Sequence, residues 1–246
     1  MALEAVATVD ATYQGVGFKA VSGALVAWQS QVRDATTASI IQTYSTNTSK
    51  TTAVLTEFIT SRGGYRGGCN RTFLFFDGLD TATGGGTITG ATLKVLGGGG
   101  FNSTVDTIIV EGTAWGGNGS SSTLAGADYS NLDHSTAYSS KKLSWNTLTY
   151  NDFTLNSTAI ADMNTNGYLN AVLIEGDYDY DNESPSVGTI TSACVGFFDF
   201  NDKIKLDLSY TIGYGNDVIG VSAATISKVI GVSTVDIVNI NGVNDF

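Results

Sequence analysis

Basic side chains are scarce in this chain. It carries 12 Lys and Arg against 23 Asp and Glu, a formal net charge of -11. A protein that holds nucleic acid regardless of its sequence needs clustered Lys and Arg to displace counterions. The one basic grouping is Arg62, Arg66 and Arg71, with Lys141 and Lys142 set apart, so nucleic acid is excluded as a partner. Histidine occurs once, at His134, and cysteine twice, at Cys69 and Cys194. Without a C-x-x-C pair and with a single histidine, there is no ligand set for a Cys/His metal centre. Long apolar runs are missing too, and none approaches the ~20 residues of a membrane-spanning helix. The first residues, Met1–Ala5, show neither a basic n-region nor an apolar h-region. The expectation is a chain without a signal peptide, made in the cytoplasm, whose two cysteines are reduced and buried rather than paired.

Proline is nearly absent, with Pro185 alone, whereas glycine occurs 30 times. Only 14% of residues are charged, and hydrophobic residues make up 42%, enough for a core, so the chain is not disordered. Short apolar runs recur between stretches rich in Thr, Ser, Asn and Gly. Strands are expected at 6–13, 25–32, 70–77, 86–96, 104–111, 143–150, around 153–155, and at 169–176, 193–199 and 203–210. Residues 51–60 suit strand or helix, and 61–69 reads as a glycine-rich loop. The run Phe73-Leu74-Phe75-Phe76 is too apolar to face water on either side and belongs in the middle of the fold. Ala91, Leu93 and Val95 alternate with Thr92 and Lys94, so that strand has one buried face. Residues 116–140 form a long polar excursion, a kind of loop that is usually functional or mobile. Residues 157–164 suit one helical turn. Many strands and no helix of ten residues predict an all-β protein, a jelly-roll β-sandwich over 1–212.

The last residues repeat themselves. Gly220, Gly231 and Gly242 align at a period of 11, as do Val221, Val232 and Val243, and Ile226 with Ile237. Self-similarity at fixed spacing marks a copied unit, and so few copies cannot bury a core alone. Residues 213–246 are therefore expected to be an appendage that leans on a partner or on copies of itself. Its gripping side chains would be Val221, Ile226, Val229, Val232, Ile237 and Ile240. Ser222 and Ser233 stand where helix N-caps would, and Gly231 and Gly242 where helices would stop, which favours two short helical repeats. The competing form is strand, because Val235, Ile237, Val238 and Ile240 are β-branched.

Chemistry is thinly signalled. In Asp177-Tyr178-Asp179-Tyr180-Asp181-Asn182-Glu183, strand alternation would place the aspartates on one side and the tyrosines on the other. Asp177, Asp179, Asp181 and Glu183 could then hold a structural Ca²⁺, the one cofactor the sequence points to, although the spacing does not complete an EF-hand. The bland alternative is a solvated acidic loop. Tyr178 and Tyr180, with Trp115, Tyr138 and Trp145, could form a platform on which sugar rings stack. The opposing reading makes the tryptophans core residues, as it does Trp28. Arg62, Arg66 and Arg71 read as anchors bonded to carboxylates or carbonyls, with an anion clamp as the alternative. His134 reads as a solvated loop side chain. No G-x-S-x-G elbow, phosphate-binding loop or distinctive carboxylate pair is present, and the chain is expected not to be an enzyme.

Two stretches carry a resemblance. Asn70–Asp77, followed by Ile88–Val95 and then by Thr107–Trp115, resembles the DNRLRE-type jelly-roll modules, which are similar to carbohydrate-binding-module sandwiches. Phe197–Phe200 and Leu206–Tyr210 fit that family's closing strands, over roughly residues 60–212. In the tail, Lys228–Val232 and Ile240–Val243 resemble the "INGV"-type repeats of tailed-phage virion proteins. Together these imply a structural protein on a virion surface: a capsid decoration, head-fibre or tail-associated subunit. Its partners would be other virion proteins and copies of itself, with a trimer favoured. The alternative they imply is a carbohydrate-binding module that recognises surface glycans.

Overall fold

The structure is a computed structural model that describes residues 4–44, 51–98, 105–195 and 204–212, together with four dipeptides of the tail. The strands are β1 (Glu4–Asp10), β2 (Tyr13–Gly23), β3 (Ile40–Tyr44), β4 (Thr51–Ser61), β5 (Gly64–Phe76), β6 (Thr87–Gly98), β7 (Asp106–Gly112), β8 (Leu132–Ala137), β9 (Lys142–Leu143), β10 (Tyr150–Thr154), β11 (Leu169–Glu175), β12 (Thr189–Val195) and β13 (Ile204–Thr211). Helices are few: α1 (Leu79–Ala82) and α2 (Ser157–Asn166), with π-helical turns at Gln29–Arg33 and Gly176–Tyr180 and a 3-10 turn at Gly126–Ser130. The strands form one 13-stranded sheet, antiparallel throughout its ladders. The expectation of an all-β chain holds at this level.

Two groups of strands make up that sheet. In the first, β6 lies between β10 and β13, and β13 pairs with β1. In the second, β5 is the axis, with β2 paired along one edge from Tyr65 to Phe75. Its other edge is divided, β4 taking the residues up to Asn70 and β11 those from Thr72 onward. Next to β4 runs β12, and Cys194 and Val195 of β12 meet Gly98 and Gly97 of β6, which joins the two groups. The main core lies between them, where Leu93, Val95, Phe153, Leu206 and Leu208 of the first group meet Leu74, Phe76, Leu169, Ala171 and Leu173 of the second.

Strand β5 is buried from Gly67 to Phe76 because both its faces are covered. Leu74 and Phe76 face the main core, while Phe73 and Phe75 face a second cluster with Trp115, Leu124 and Val172. A third cluster holds Trp28, Val32 and Cys69. The outer cover comes from the irregular segments around 26–34, 113–131 and 176–183. By contrast, β6 and β13 alternate as expected, with Ala91, Leu93 and Val95 inside and Thr92 and Lys94 less buried.

Several local expectations change. Residues 64–69 are strand, not loop: β4 ends at Ser61, Arg62-Gly63 is a two-residue turn, and β5 starts at Gly64. Gly67 and Gly68 are small because rings lie on them; a Cβ at Gly67 would meet Trp28 at 3.1 Å, and one at Gly68 would meet Phe18 at 3.1 Å. Residues 29–33 are a π-helical turn where strand was expected, and 144–149 leave the sheet. Helix α2 runs ten residues rather than one turn. The Asn156 carboxamide oxygen accepts from the backbone N–H of Thr158 and Ala159, and Gly167, at φ 72°, ends the helix.

In the tail, the described residues are strand and not helix. β14 (Lys228–Val229) pairs with β15 (Val232–Ser233), and β16 (Asn239–Ile240) with β17 (Val243–Asn244). Two residues separate the partners in each pair, Ile230-Gly231 and Asn241-Gly242 in the sequence. Asn-Gly between β-branched residues is a strong sequence signal for a two-residue hairpin, and Ser233, a candidate N-cap in the sequence, lies in β15. Val221, Ile226 and Ile237 lie outside the described residues.

Candidate functional site

The densest polar cluster is built around Arg71, at the point on β5 where the neighbouring strand changes from β4 to β11. Arg71 is 1% exposed. Its Nε donates to Asp179 Oδ2 at 2.8 Å and its Nη2 to Asp179 Oδ1 at 2.6 Å, a two-point pairing with a carboxylate that is itself 0% exposed. The remaining N–H groups reach backbone carbonyls, Nη1 to Tyr129 at 2.8 Å and Nη2 to Arg33 at 2.7 Å. The Tyr129 ring covers the guanidinium with its centroid 4.3 Å away. Gly17, directly across on β2, makes room for that ring, since a Cβ there would lie 3.2 Å from Tyr129.

Asp179 is delivered by the π-helical turn that follows β11. The buried Glu175 carboxylate starts that turn by accepting from the N–H of Tyr178 and Asp179 at 2.6 and 3.2 Å. His134 on β8 approaches Asp179 Oδ1 with Nε2 at 3.1 Å. A carboxylate only accepts, so Nε2 carries the hydrogen in this contact. The histidine is therefore a bonded strand residue and not a solvated loop side chain.

Burial alone would push the Asp179 carboxyl up; the Arg71 guanidinium, helped by His134, outweighs it and holds the group well below the usual carboxylate range. Burial, and then the Asp179 charge, push the Cys69 thiol far up. Cys69 Sγ lies 3.5 Å from Asp179 Oδ2 and 0% exposed, so this thiol stays protonated and out of reach. Burial raises Glu175 to about 7 against the opposing backbone N–H groups. What the cluster does chemically is clamp three cover segments onto β5. Every ionisable group gathered around Arg71 already has a protein partner.

The proposed calcium ligands are dispersed. Residues 176–180 form a π-helical turn, which breaks the strand alternation that would have aligned them. Asp179 turns inward to Arg71, while Asp177 and Asp181 both take Lys141, the former at 2.8 Å. Glu183 is exposed, and its backbone N–H donates to the Asp177 carbonyl at 3.1 Å. Among the described residues no three metal-ligating side chains gather.

The proposed sugar platform is dispersed as well. Trp115 is 0% exposed in the second cluster, and Trp145 and Tyr138 are buried in the main core. The Trp145 indole N–H donates to the Cys194 carbonyl at 3.0 Å, and the Tyr138 hydroxyl donates to Asp162 at 2.7 Å. Tyr178 packs on the third cluster and Tyr180 on the second. With three rings closed off and the two half-buried tyrosines packed on different clusters, the five present no common face to a sugar. Trp28 is core, as expected. The two cysteines are not joined in a disulfide, and both are buried.

Of the three arginines, two are anchors as expected, Arg71 on Asp179 and Arg66 on Glu57 at 2.7 Å. The Arg71–Asp179 pair was missed from the sequence because 107 residues intervene, a separation at which no local pattern can show the contact. Comparison of the sequence with protein-family models and with curated proteins gives no match. Among the described residues no helix is long and apolar enough to cross a membrane.

Proposed function

We propose that the chain is a structural protein of a tailed-phage virion, a decoration, head-fibre or tail-associated subunit. The body would be a jelly-roll sandwich displayed for attachment, and the tail would bind other virion proteins or copies of itself, with a trimer favoured. The observation that carries this assignment is the tail's repetition in structure as well as in sequence. The ladder Val229–Val232 recurs 11 residues later as Ile240–Val243. Two-residue ladders of this kind are not stable alone in water. A body whose polar cluster is spent on clamping its own cover, joined to repeats that need a surface to lie on, suits a subunit of an assembly. The glycan-binding alternative has less to rest on, because Trp115, Tyr138 and Trp145 are packed inside and only Tyr178 and Tyr180 are half-buried.

Deletion of residues 216–246 tests the assignment. The shortened chain is expected to keep its β-sheet circular dichroism and thermal transition, and to be a monomer by native mass spectrometry where the full chain is an oligomer. Equal masses for the two chains would sink the assignment of assembly to the tail.

A further inference from the structure

Asn-Gly is a chemically weak dipeptide. Glycine has no side chain to shield its N–H, so that nitrogen can reach the asparagine carboxamide carbon and close a five-membered ring. Three such pairs occur in the sequence, Asn118-Gly119, Asn166-Gly167 and Asn241-Gly242. The last lies outside the described residues. The fold sets the other two apart. Gly167 ends α2, and its N–H donates to the Met163 carbonyl at 2.9 Å, so that nitrogen is engaged. The Gly119 N–H has no hydrogen-bond partner among the described residues.

Asn118 lies between Gly117 and Gly119 in the loop that follows β7, and it is exposed. Its carboxamide Oδ1 accepts from the Ser120 N–H at 3.2 Å. That bond folds the side chain back along the chain, so the Gly119 nitrogen lies inside the ring that the bond closes. It also draws electron density from the carbonyl, which favours attack at Cγ and stabilises the oxyanion that attack creates. The loop is held on both sides of Asn118. Asn170 Nδ2 donates to the carbonyls of Ala114 and Gly117 at 2.7 and 3.0 Å. Gly119, at φ 73°, rests on the Phe75 ring, which a Cβ would meet at 2.3 Å. The reacting groups are thus kept together before any reaction starts.

We propose that Asn118 is a site of spontaneous deamidation, with water as the only co-reactant. The Gly119 nitrogen gives its proton to hydroxide and bonds to Asn118 Cγ; the C–N bond of the carboxamide then breaks and ammonia leaves. The resulting succinimide opens by adding water at either carbonyl. Opening at Cγ gives aspartate. Opening at the main-chain carbonyl gives isoaspartate, whose backbone is one carbon longer. No oxidation or reduction is involved. The longer chain cannot keep Gly119 seated on Phe75 while Asn170 holds Gly117, so the isoaspartate form loosens the cover over Phe75 and Trp115. Asn166 keeps its amide because its glycine N–H is engaged in α2. The site stands independently of the virion assignment, because the tail deletion reads assembly and the test below reads the loop.

The test is incubation of the full chain at physiological temperature and neutral pH, read at each asparagine by peptide mass spectrometry that separates aspartate from isoaspartate. Asn118 should convert at least about tenfold faster than Asn166, with both products present. The rate should rise with pH, because the attacking nitrogen must lose its proton. In unfolding urea the two sites should convert at similar rates, since the fold alone distinguishes them. Asn118→Gln, which would need a six-membered ring, should keep its amide and its fold. The isolated isoaspartate form should melt at a lower temperature than the parent chain. A folded chain in which Asn118 holds its amide, or converts no faster than Asn166, overturns the proposal. Aspartate without isoaspartate overturns the cyclic route, and a gap between the sites that persists in urea overturns the role given to the fold. An equal melting temperature overturns the loosening of the cover.

Discussion

The Arg71–Asp179 pair sets the cost of error at single residues. Both side chains are sealed from water, so removing one leaves the other charged and uncompensated. Asp179→Asn is expected to lower stability by about 3–5 kcal/mol, read as a shift of the urea midpoint. The double change Arg71→Met with Asp179→Leu should cost less than the single one, because no buried charge remains. It should not be neutral, since the Tyr129 and Arg33 carbonyls lose their donor. Glu175 acts in the opposite sense with pH. Its carboxyl is raised to about 7 in the fold, against roughly 4.3 in an unfolded chain. Between these values the folded state holds the extra proton, so stability is greatest below about pH 4 and falls as pH rises through 7. Glu175→Gln should flatten the fall in thermal midpoint between pH 5 and 8, while keeping an oxygen to accept from Tyr178. An unchanged slope would place the titration elsewhere. Asp179, held low, adds stability above about pH 4 that is lost only as pH falls towards its depressed value.

At the scale of elements, local chemistry decided some boundaries and distant contacts decided others. Helix α2 is pinned at its start by Asn156, whose Oδ1 accepts from two backbone N–H groups while its Nδ2 donates to the Ala137 carbonyl at 2.6 Å. Asn156→Ala should cost about 1–2 kcal/mol and speed hydrogen exchange in residues 158–161 before the neighbouring strands respond. The clean period of β6 and β13 and the wholly apolar run in β5 were legible, because each faces a core and its pattern records that face. The glycine pairs at 63–64 and 67–68 misled, since glycine serves a turn in the first pair and clearance under rings in the second. The acidic run at 177–183 misled for a related reason. Its two-residue alternation is real in the sequence, but Glu175 captures the following N–H groups and winds the chain into a turn.

For the whole molecule, the question is whether two strand groups and an outer cover open together. Among the described residues the ladder that joins the groups is short, Cys194 and Val195 of β12 against Gly98 and Gly97 of β6, with an isolated bridge between Ser139 and Leu155 beside it. The shared core is wide, running from Ile88 and Ile204 to Leu173. If that core governs, the groups cannot separate without exposing most of the buried apolar surface, and the ladder at the join follows the core. The two thiols report on this directly. Cys69 lies under the cover beside Trp28 and Val32, whereas Cys194 lies at the join, its carbonyl tied to Trp145. Labelling with a thiol reagent through a urea series, read residue by residue by mass spectrometry, should give one midpoint for both. That midpoint should coincide with loss of tryptophan fluorescence, and neither thiol should react in the folded chain. Cys194 reacting at lower urea would mean that the join opens first and that the first strand group is held on less firmly than its core area suggests. Cys69 reacting first would mean that the cover lifts on its own, against the clamp that Arg71 and Asp179 impose on it.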